Sequence, residues 1–571
     1  MTAIVGPSGA GKSTLLDILS ARLLPSSGTV LVDGMAPTKH FRSIATFIPQ
    51  EDNFVPTLSV WETLNLHISL RMQLPEGKAH ALMESSLSSM GLLKVKNSQV
   101  GGILPGGLSV RGLSGGERRR LNIACGVVAS PAICCLDEPT SGLDSHAALV
   151  VMQHLQRMAA SRRSIICTVH QPRPAIWEMF TSITVLAEGR MLFMGPAAEV
   201  LSWFSGVLGF SFAAEHDGSP SDWLMDIINI GFQEHGGSGT VGKGLTTLQQ
   251  VQDAAARFRA KRLPAYVAGL PQDTTGAKHV KLAVPSNGND SQAVVAIERT
   301  YPTSWFNQLR VLYWRAVLGY LRNPLDVMAR LLLSLTVGIL VGITFLNATK
   351  GHFSVQYRMN VLFTTVFGLV LIPFAHMTVY VHDKLFFVAD MRANLYQASA
   401  YYVAQTLAGL PFVLLNGMIQ LLATYALVGL RNTASAILGS ALLCGLHSLN
   451  GVQLLAWSSY MMPNHDLAFV NGVGYVTCCI LLTGYLVRIM DLVAPLRILS
   501  YIFPLRMVYC ALVRLQFEGT TEGAQVLHPS ETNPYDIMLS VGQNVAILLG
   551  INASLHVLAF AALWRLQYTH R

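Results

Sequence analysis

Two textures of hydrophobic pattern divide the chain near Asp326. Before it, apolar residues come in short runs that end on a turn-forming or polar residue. Ala3-Ile4-Val5, Thr29 to Gly34, Ile44 to Ile48, Ala132 to Leu136 and Ser164 to Val169 read as strands of this kind. Between them, Thr14–Leu24, Ser59–Ser69, Ala79–Met90 and the stretch from Ser114 to about Val128 carry helical spacing. After Asp326 the apolar runs lengthen to about 326–348, 356–381, 401–430, 434–461, 465–488 and 545–566. At 1.5 Å per residue each can cross a hydrocarbon core ~30 Å thick. The pattern predicts an α/β half followed by an all-α transmembrane half of six helices.

The segments joining the halves add detail. Residues 233–302 are rich in Gly, Ser, Thr, Gln and Ala and read as a linker. A short helix is predicted at Asp253–Lys261, with Arg257, Arg259, Lys261 and Arg262 on a solvated face. Thr303–Asn323 is amphipathic, with Trp305, Leu309, Leu312, Val317 and Leu321 on one side and Gln308, Arg315 and Arg322 on the other. The expected setting is the inner membrane interface, basic residues on lipid headgroups. Leu492–Phe517 is apolar but broken by Pro495 and Pro504, within an outer region of about 489–544. The expected domains are therefore 1–232, 233–302 and 303–571. An even number of spans leaves both ends on the cytoplasmic side. Asn347 then lies at an outer end, where its sequon can be glycosylated, whereas the Asn289 sequon faces the cytosol.

Composition sharpens this picture. Of 571 residues, 51% are apolar and 13% charged, too few charges for a soluble protein. The net charge of +8 fits basic cytoplasmic edges of a membrane protein better than nucleic-acid binding. No signal peptide opens the chain, so the first internal span would direct insertion. The placement of the eight cysteines gives no disulfide framework; Cys134-Cys135 and Cys478-Cys479 read as small buried hydrophobes.

The chemistry is concentrated in the first half. Gly6-Pro7-Ser8-Gly9-Ala10-Gly11-Lys12-Ser13-Thr14 fits the phosphate-binding loop G-x-x-x-x-G-K-[ST], placed between a strand and a helix as that loop requires. Its backbone N–H groups would cradle phosphates, Lys12 would reach the β- and γ-phosphates, and Ser13 would bind Mg²⁺. Leu113-Ser114-Gly115-Gly116-Glu117 opens a helix at Ser114, and its bare N–H groups make a second anion site. One ATP held from two sides is the simplest use of two such loops. Asp137 at the end of a buried strand would hold Mg²⁺, and Glu138 would polarise the attacking water. His170 ends another strand, where an imidazole can hydrogen-bond the γ-phosphate.

The order of phosphate loop, Gln50, Leu113 to Glu117, Asp137-Glu138, Ser141-Gly142-Leu143-Asp144 and His170 resembles an ABC-transporter nucleotide-binding domain. The ATPase preceding the membrane half, His170-Gln171-Pro172, Arg111-Gly112 and Ser219 to Asp226 are similar to the G subfamily of half-transporters. The resemblance implies an α/β P-loop nucleotide-binding domain and six membrane helices, re-entrant helices in the outer leaflet at Leu492–Phe517, and ATP and Mg²⁺ as cofactors. It assigns Gly6 to Thr14 and Gln50 to ATP, and Ser13, Gln50 and Asp137 to Mg²⁺. It assigns Glu138 and His170 to catalysis, Leu113 to Glu117 to the ATP of a partner subunit, and Ser141, Gly142, Leu143 and Asp144 to the D-loop. It also implies a coupling region at Asp383, Lys384, Phe387, Asp390 and Tyr396, in which Ala389 and Asn394 replace the family's Arg and Gly. A homodimer or a heterodimer with a related half is implied, moving a small lipophilic substrate across a bilayer, with the plasma membrane as the expected residence. An ATP-gated channel or non-transporting regulator is the alternative on the same fold; Glu138 and His170 favour turnover. The phosphate loop begins five residues after Met1, where the family has several further strands, so the chain is expected to be shortened at its start, with base recognition left open.

Overall fold

The computed structural model describes residues 1–32, 37, 41–104, 109–210, 212, 218–229, 245, 247–264, 301–346, 354–527 and 539–569. Asn289, Asn347, Asp33 and Gly34 lie outside them.

The first half contains strands β1 (Thr2–Val5), β2 (Ala45–Ile48), β3 (Gly102–Ile103), β4 (Ser109–Val110), β5 (Ile133–Leu136), β6 (Ser164–Val169), β7 (Ser182–Ala187) and β8 (Arg190–Pro196). Six form one sheet in the order β2-β5-β6-β1-β7-β8, parallel except for the β7–β8 pair. Short apolar runs without alternation suit such strands, because helices cover both faces. Ala3, Val5, Ile48, Leu136 and Val169 are all buried in the resulting core. The expected strand at Thr29 to Gly34 is not formed: among its described residues only Val32 makes a bridge.

The helix Leu248–Lys261 is longer than predicted. Thr247 and Gln250 form a reciprocal cap at its start. Val251, Ala254, Ala255 and Phe258 are buried, and the helix packs against β8. Arg262 lies over the Phe193 ring at 4.7 Å and pairs with Glu199, so it is not on a solvated face. Composition pointed to a linker because the buried stripe has only four residues, two of them alanine, which polar neighbours outweigh.

In the second half, five helices among the described residues are long and apolar enough to cross a membrane: Pro324–Thr344, Ser354–Arg392, Ala398–Val428, Ala434–Met461 and Val541–Gln567. The expected span at 465–488 is a shorter apolar helix, His465–Leu481, of 17 residues. Ala494–Ile502 and Pro504–Phe517 meet at 79°, the bent pair that Pro504 predicts. Ala398–Val428 packs against Trp305–Leu321, Pro324–Thr344 and Ala434–Met461. Gly338 and Gly342, four residues apart, allow the first span to lie close to it. A Cβ on Gly338 would stand 2.5 Å from the Gln420 carbonyl oxygen, and one on Gly342 2.5 Å from Leu427. All eight cysteines are free thiols and all but Cys478 are buried, as small hydrophobes would be.

In the amphipathic helix Trp305–Leu321 the polar side does not lie on headgroups as expected, and most of the expected apolar side is packed as well: Leu312 is buried and Trp305, Leu309 and Val317 are half-buried. Its polar side faces protein: Gln308 is fully buried and Arg315 only 9% exposed, while Phe306, Trp314 and Leu321 are exposed. The reason is specific pairing. Gln308 Oε1 accepts the Gln397 N–H at 2.8 Å, Arg315 meets Asp390 at 2.6 Å, and Arg322 reaches Glu62. Charged groups with partners are stable inside a fold, and the exposed aromatic side is left for the membrane interface.

Candidate nucleotide site and its link to the membrane half

Strand register brings the motifs together. Val5 pairs with Val169, and Leu136 pairs with Ile48 on one side and Cys167 on the other. The phosphate loop after Val5, Gln50 after Ile48, Asp137-Glu138 after Leu136 and His170 after Val169 therefore leave the same edge of four adjacent parallel strands. That C-terminal edge is where open α/β sheets bind ligands.

Within the phosphate loop, Gly9 and Gly11 take φ of 81° and 88°, the left-handed region that favours glycine. Gly6 is required for space, since a Cβ there would lie 2.3 Å from the Leu186 carbonyl oxygen. The turn closes with Ala10 N–H donating to Pro7 O at 3.2 Å, and the helix Lys12–Leu19 begins at once. Ser8, Ser13 and Thr14 are exposed on this surface. The Lys12 ammonium donates to the carbonyls of Gly6 and Pro7, each at 2.8 Å. Burial lowers its pKa, against the opposing pull of Glu138 and Asp137.

Ser13 Oγ donates to Asp137 Oδ1 at 3.0 Å, and Thr168 Oγ1 donates to the same oxygen at 2.6 Å. A hydroxyl beside a carboxylate is a hard-oxygen pair of the type Mg²⁺ takes alongside phosphate. Gln50 meets Glu138 instead, its Nε2 donating to Oε2 at 2.8 Å. Glu138 is half-buried, its N–H donates to Thr168 Oγ1 at 2.8 Å, and its φ of 46° is unusual for a residue with a side chain. His170 is exposed at the end of β6.

Ser114 caps the helix Gly115–Val127, accepting from Glu117 N–H at 3.3 Å, while the Glu117 carboxylate accepts from Ser114 N–H at 2.9 Å. Leu113 is buried beneath this loop, and Ser114 and Gly115 face solvent. The D-loop lies beside it: a Cβ on Gly116 would be 3.4 Å from Leu143. Asp144 caps the next helix through Ala147 N–H at 2.8 Å, and Ser141 and Gly142 are exposed.

Sequence reasoning assigned no role to Arg119. Its side chain is 1% exposed and lies at the centre of the site. It donates to the backbone carbonyls of Pro49, Gln50, Asp137 and Glu138 and to Asp52 Oδ1 at 3.1 Å. One guanidinium thus ties the Ser114 helix to both Gln50 and Glu138. The run Arg118-Arg119-Arg120 was the available signal; helical phase decides which member turns inward.

The link to the membrane half runs through the helix Val60–Arg71. Glu62 completes a cap with Ser59 and also binds Arg322 in two-pronged fashion, at 2.6 and 2.7 Å. The Arg322 hydrogen bonds hold the Glu62 carboxyl down to about 2. Thr303 Oγ1 donates to Leu70 O at 3.0 Å and Asn307 Nδ2 to Ser69 O at 2.9 Å. Leu70 joins Leu312, Phe387, Tyr396 and Tyr401 in one apolar cluster. Of the expected coupling residues, Asp390 accepts from Arg315 and from Tyr396 Oη at 2.6 Å each, and Lys384 donates to Met462 O at 2.8 Å. Asp383 accepts from the Gln405 amide instead, away from this contact. Asn394 adopts φ of 52°, supplying the left-handed turn that a glycine would.

A phosphate loop, a Ser-Gly-Gly loop and an acidic pair on one α/β sheet, joined to a bundle of membrane helices, define an ATP-binding cassette transporter. Family comparison agrees: the ABC transporter family matches residues 1–141, and the ABC-2 type transporter family matches residues 307–517. The chain belongs to the G family of ABC transporters, as a multi-pass membrane half-transporter whose ATP-hydrolysing domain comes first. It is 31% identical over 561 residues to ABC transporter G family member 22 of Dictyostelium discoideum, spanning 97% of this chain and 85% of that protein. It is also 31% identical over 540 residues to the broad substrate specificity ATP-binding cassette transporter ABCG2 of Bos taurus, spanning 91% of this chain and 79% of the relative.

Proposed function

We propose that two such chains, identical or related, hold ATP between them and export a lipophilic or amphipathic compound across the plasma membrane. The observation that carries this reading is the convergence of phosphate loop, Asp137, Glu138, Gln50 and His170 on one sheet edge, with Ser114 and Gly115 exposed on the same domain. Loops that face solvent can reach a nucleotide on a facing subunit.

Lys12 and the N–H groups of the phosphate loop bind the phosphates. Ser13, Asp137 and Gln50 would hold Mg²⁺, which when bound neutralises developing phosphate charge. Glu138 polarises the attacking water, held in place by Gln50 and Thr168, and His170 hydrogen-bonds the γ-phosphate. Closure of the two domains pulls on the helix Val60–Arg71, which grips Thr303, Asn307 and Arg322. Asp390, Tyr396 and Phe387 pass that movement to the membrane helices through Arg315, while Asp383 and Lys384 brace the same helix. The apolar spans favour a hydrophobic cargo over an ion.

The test is uptake of lipophilic candidates into inside-out vesicles. Glu138→Gln should keep ATP binding and lose turnover and uptake by about a hundredfold or more. Lys12→Ala should weaken binding and turnover together. Unchanged turnover in Glu138→Gln protein would refute the base assignment.

A further inference from the structure

Where the two halves of one subunit meet, a cavity of about 90 Å³ lies between Val55, Thr57 and Leu104 of the first half and the helices Trp305–Leu321, Met377–Arg392 and Ala398–Val428, with Arg315 and Asp326 also in its wall. A second chamber of about 30 Å³ adjoins it; Tyr320, Val379, Asp383 and Gln405 line both. Its walls are aromatic: Tyr320, Tyr380, Tyr402 and Tyr460 all face the second chamber. Tyr380 and Tyr460 meet edge to face with centroids 6.0 Å apart, and Tyr320 stacks on Phe412 at 5.0 Å.

The Asp383 carboxylate sits where the chambers join. Its hydrogen-bond partner is the neutral Gln405 amide, and among the described residues no cationic nitrogen lies within 4 Å of it. The two guanidiniums in its neighbourhood are already taken: Arg315 by Asp390 and Arg330 by Asp326. Three carboxylates therefore face two guanidiniums and one imidazole, that of His382, and neither guanidinium is left to pair with Asp383. A half-buried carboxylate with no ion-pair partner can take a cation, and tyrosine faces attract one without competing for it. Apolar side chains such as Leu410, Val413 and Val452 continue the wall of the second chamber, a surface for a hydrocarbon tail.

We propose that this cavity is a binding site for the ammonium head of a cationic amphiphile, one per chain. The transport reading needs no ligand at this place, so the failure of this proposal would leave that reading standing.

The probe pair is octyltrimethylammonium and its uncharged carbon isostere, measured by equilibrium dialysis against the full chain in lipid nanodiscs, with empty nanodiscs subtracted. The expected result is saturable binding near one per chain, with the isostere at least about tenfold weaker. Asp383→Asn should remove that preference while ATP binding stays at wild-type affinity, and Tyr380→Phe should retain it. Equal binding of the two probes, no saturable binding, or an unchanged preference in Asp383→Asn would each overturn the proposal. If Asp383→Asn fails to bind ATP, and so has not folded, the probe pair alone decides.

Discussion

At the scale of single residues, Arg119 is the group on which the site geometry depends most. Four backbone carbonyls and one carboxylate share a guanidinium that is almost wholly buried. Removing it takes the ion-pair partner from Asp52, which keeps the Asn122 amide as a donor, and a buried charge that loses its partner is costly. Arg119→Met should destabilise the first half by about 3–5 kcal/mol. Denaturant unfolding of the full chain in detergent checks this; a loss under about 1 kcal/mol would show that water substitutes for the guanidinium. The residue contacts the backbone of Gln50 and Glu138 and no reacting atom, so its effect on turnover is through position. Of the site residues, those in local motifs were legible in the sequence: Gly6 to Thr14, Ser114 to Glu117, and Asp137-Glu138 are each fixed by a handful of neighbours. Arg119 was not legible, because its partners at Asp52 and Pro49 lie 67 and 70 residues away.

At the scale of elements, the helix Val60–Arg71 joins the two halves. Its capping carboxylate, Glu62, is also the partner of Arg322, 260 residues later. The folded carboxyl titrates near 2, below its ordinary value of 4.5. The stabilisation is therefore complete above about 4.5 and is lost as pH falls through about 2. The difference in melting temperature between wild type and Arg322→Ala should be constant from neutral pH to about 5, then shrink on further acidification. A difference that stays constant down to about 3 would show that the pair does not carry the contact. Both side chains are about one-third exposed, so added salt should also narrow the gap. The helix Trp305–Leu321 shows why the orientation of an element is harder to read than its existence. Its amphipathic period was clear, yet the polar side turns inward because Asp390 and Gln397, 75 and 89 residues away, bind it. At Thr29 to Gly34 strand propensity was legible, yet among the described residues only Val32 makes a bridge, and propensity alone does not extend a bridge into a ladder.

At the scale of the whole molecule, one chain carries one phosphate loop and one Ser-Gly-Gly loop, the latter exposed and capped by its own Glu117. The division into an ATPase and a membrane half was plain from hydropathy, because bilayer length is a coarse constraint that many residues report together. The bend between Ala494–Ile502 and Pro504–Phe517 was equally plain from Pro504. The contact between the halves was not, since it rests on Glu62, Leu70, Thr303 and Arg322 rather than on any periodic pattern. The account's central claim is that nucleotide is shared between subunits, and complementation measures it most directly. Lys12→Ala and Ser114→Arg chains, each purified alone in lipid nanodiscs, should be inactive. Co-expressed, they should regain turnover, because the mixed dimer pairs one intact phosphate loop with one intact Ser114 loop. Full-rate ATP hydrolysis by the Ser114→Arg chain alone would contradict the claim.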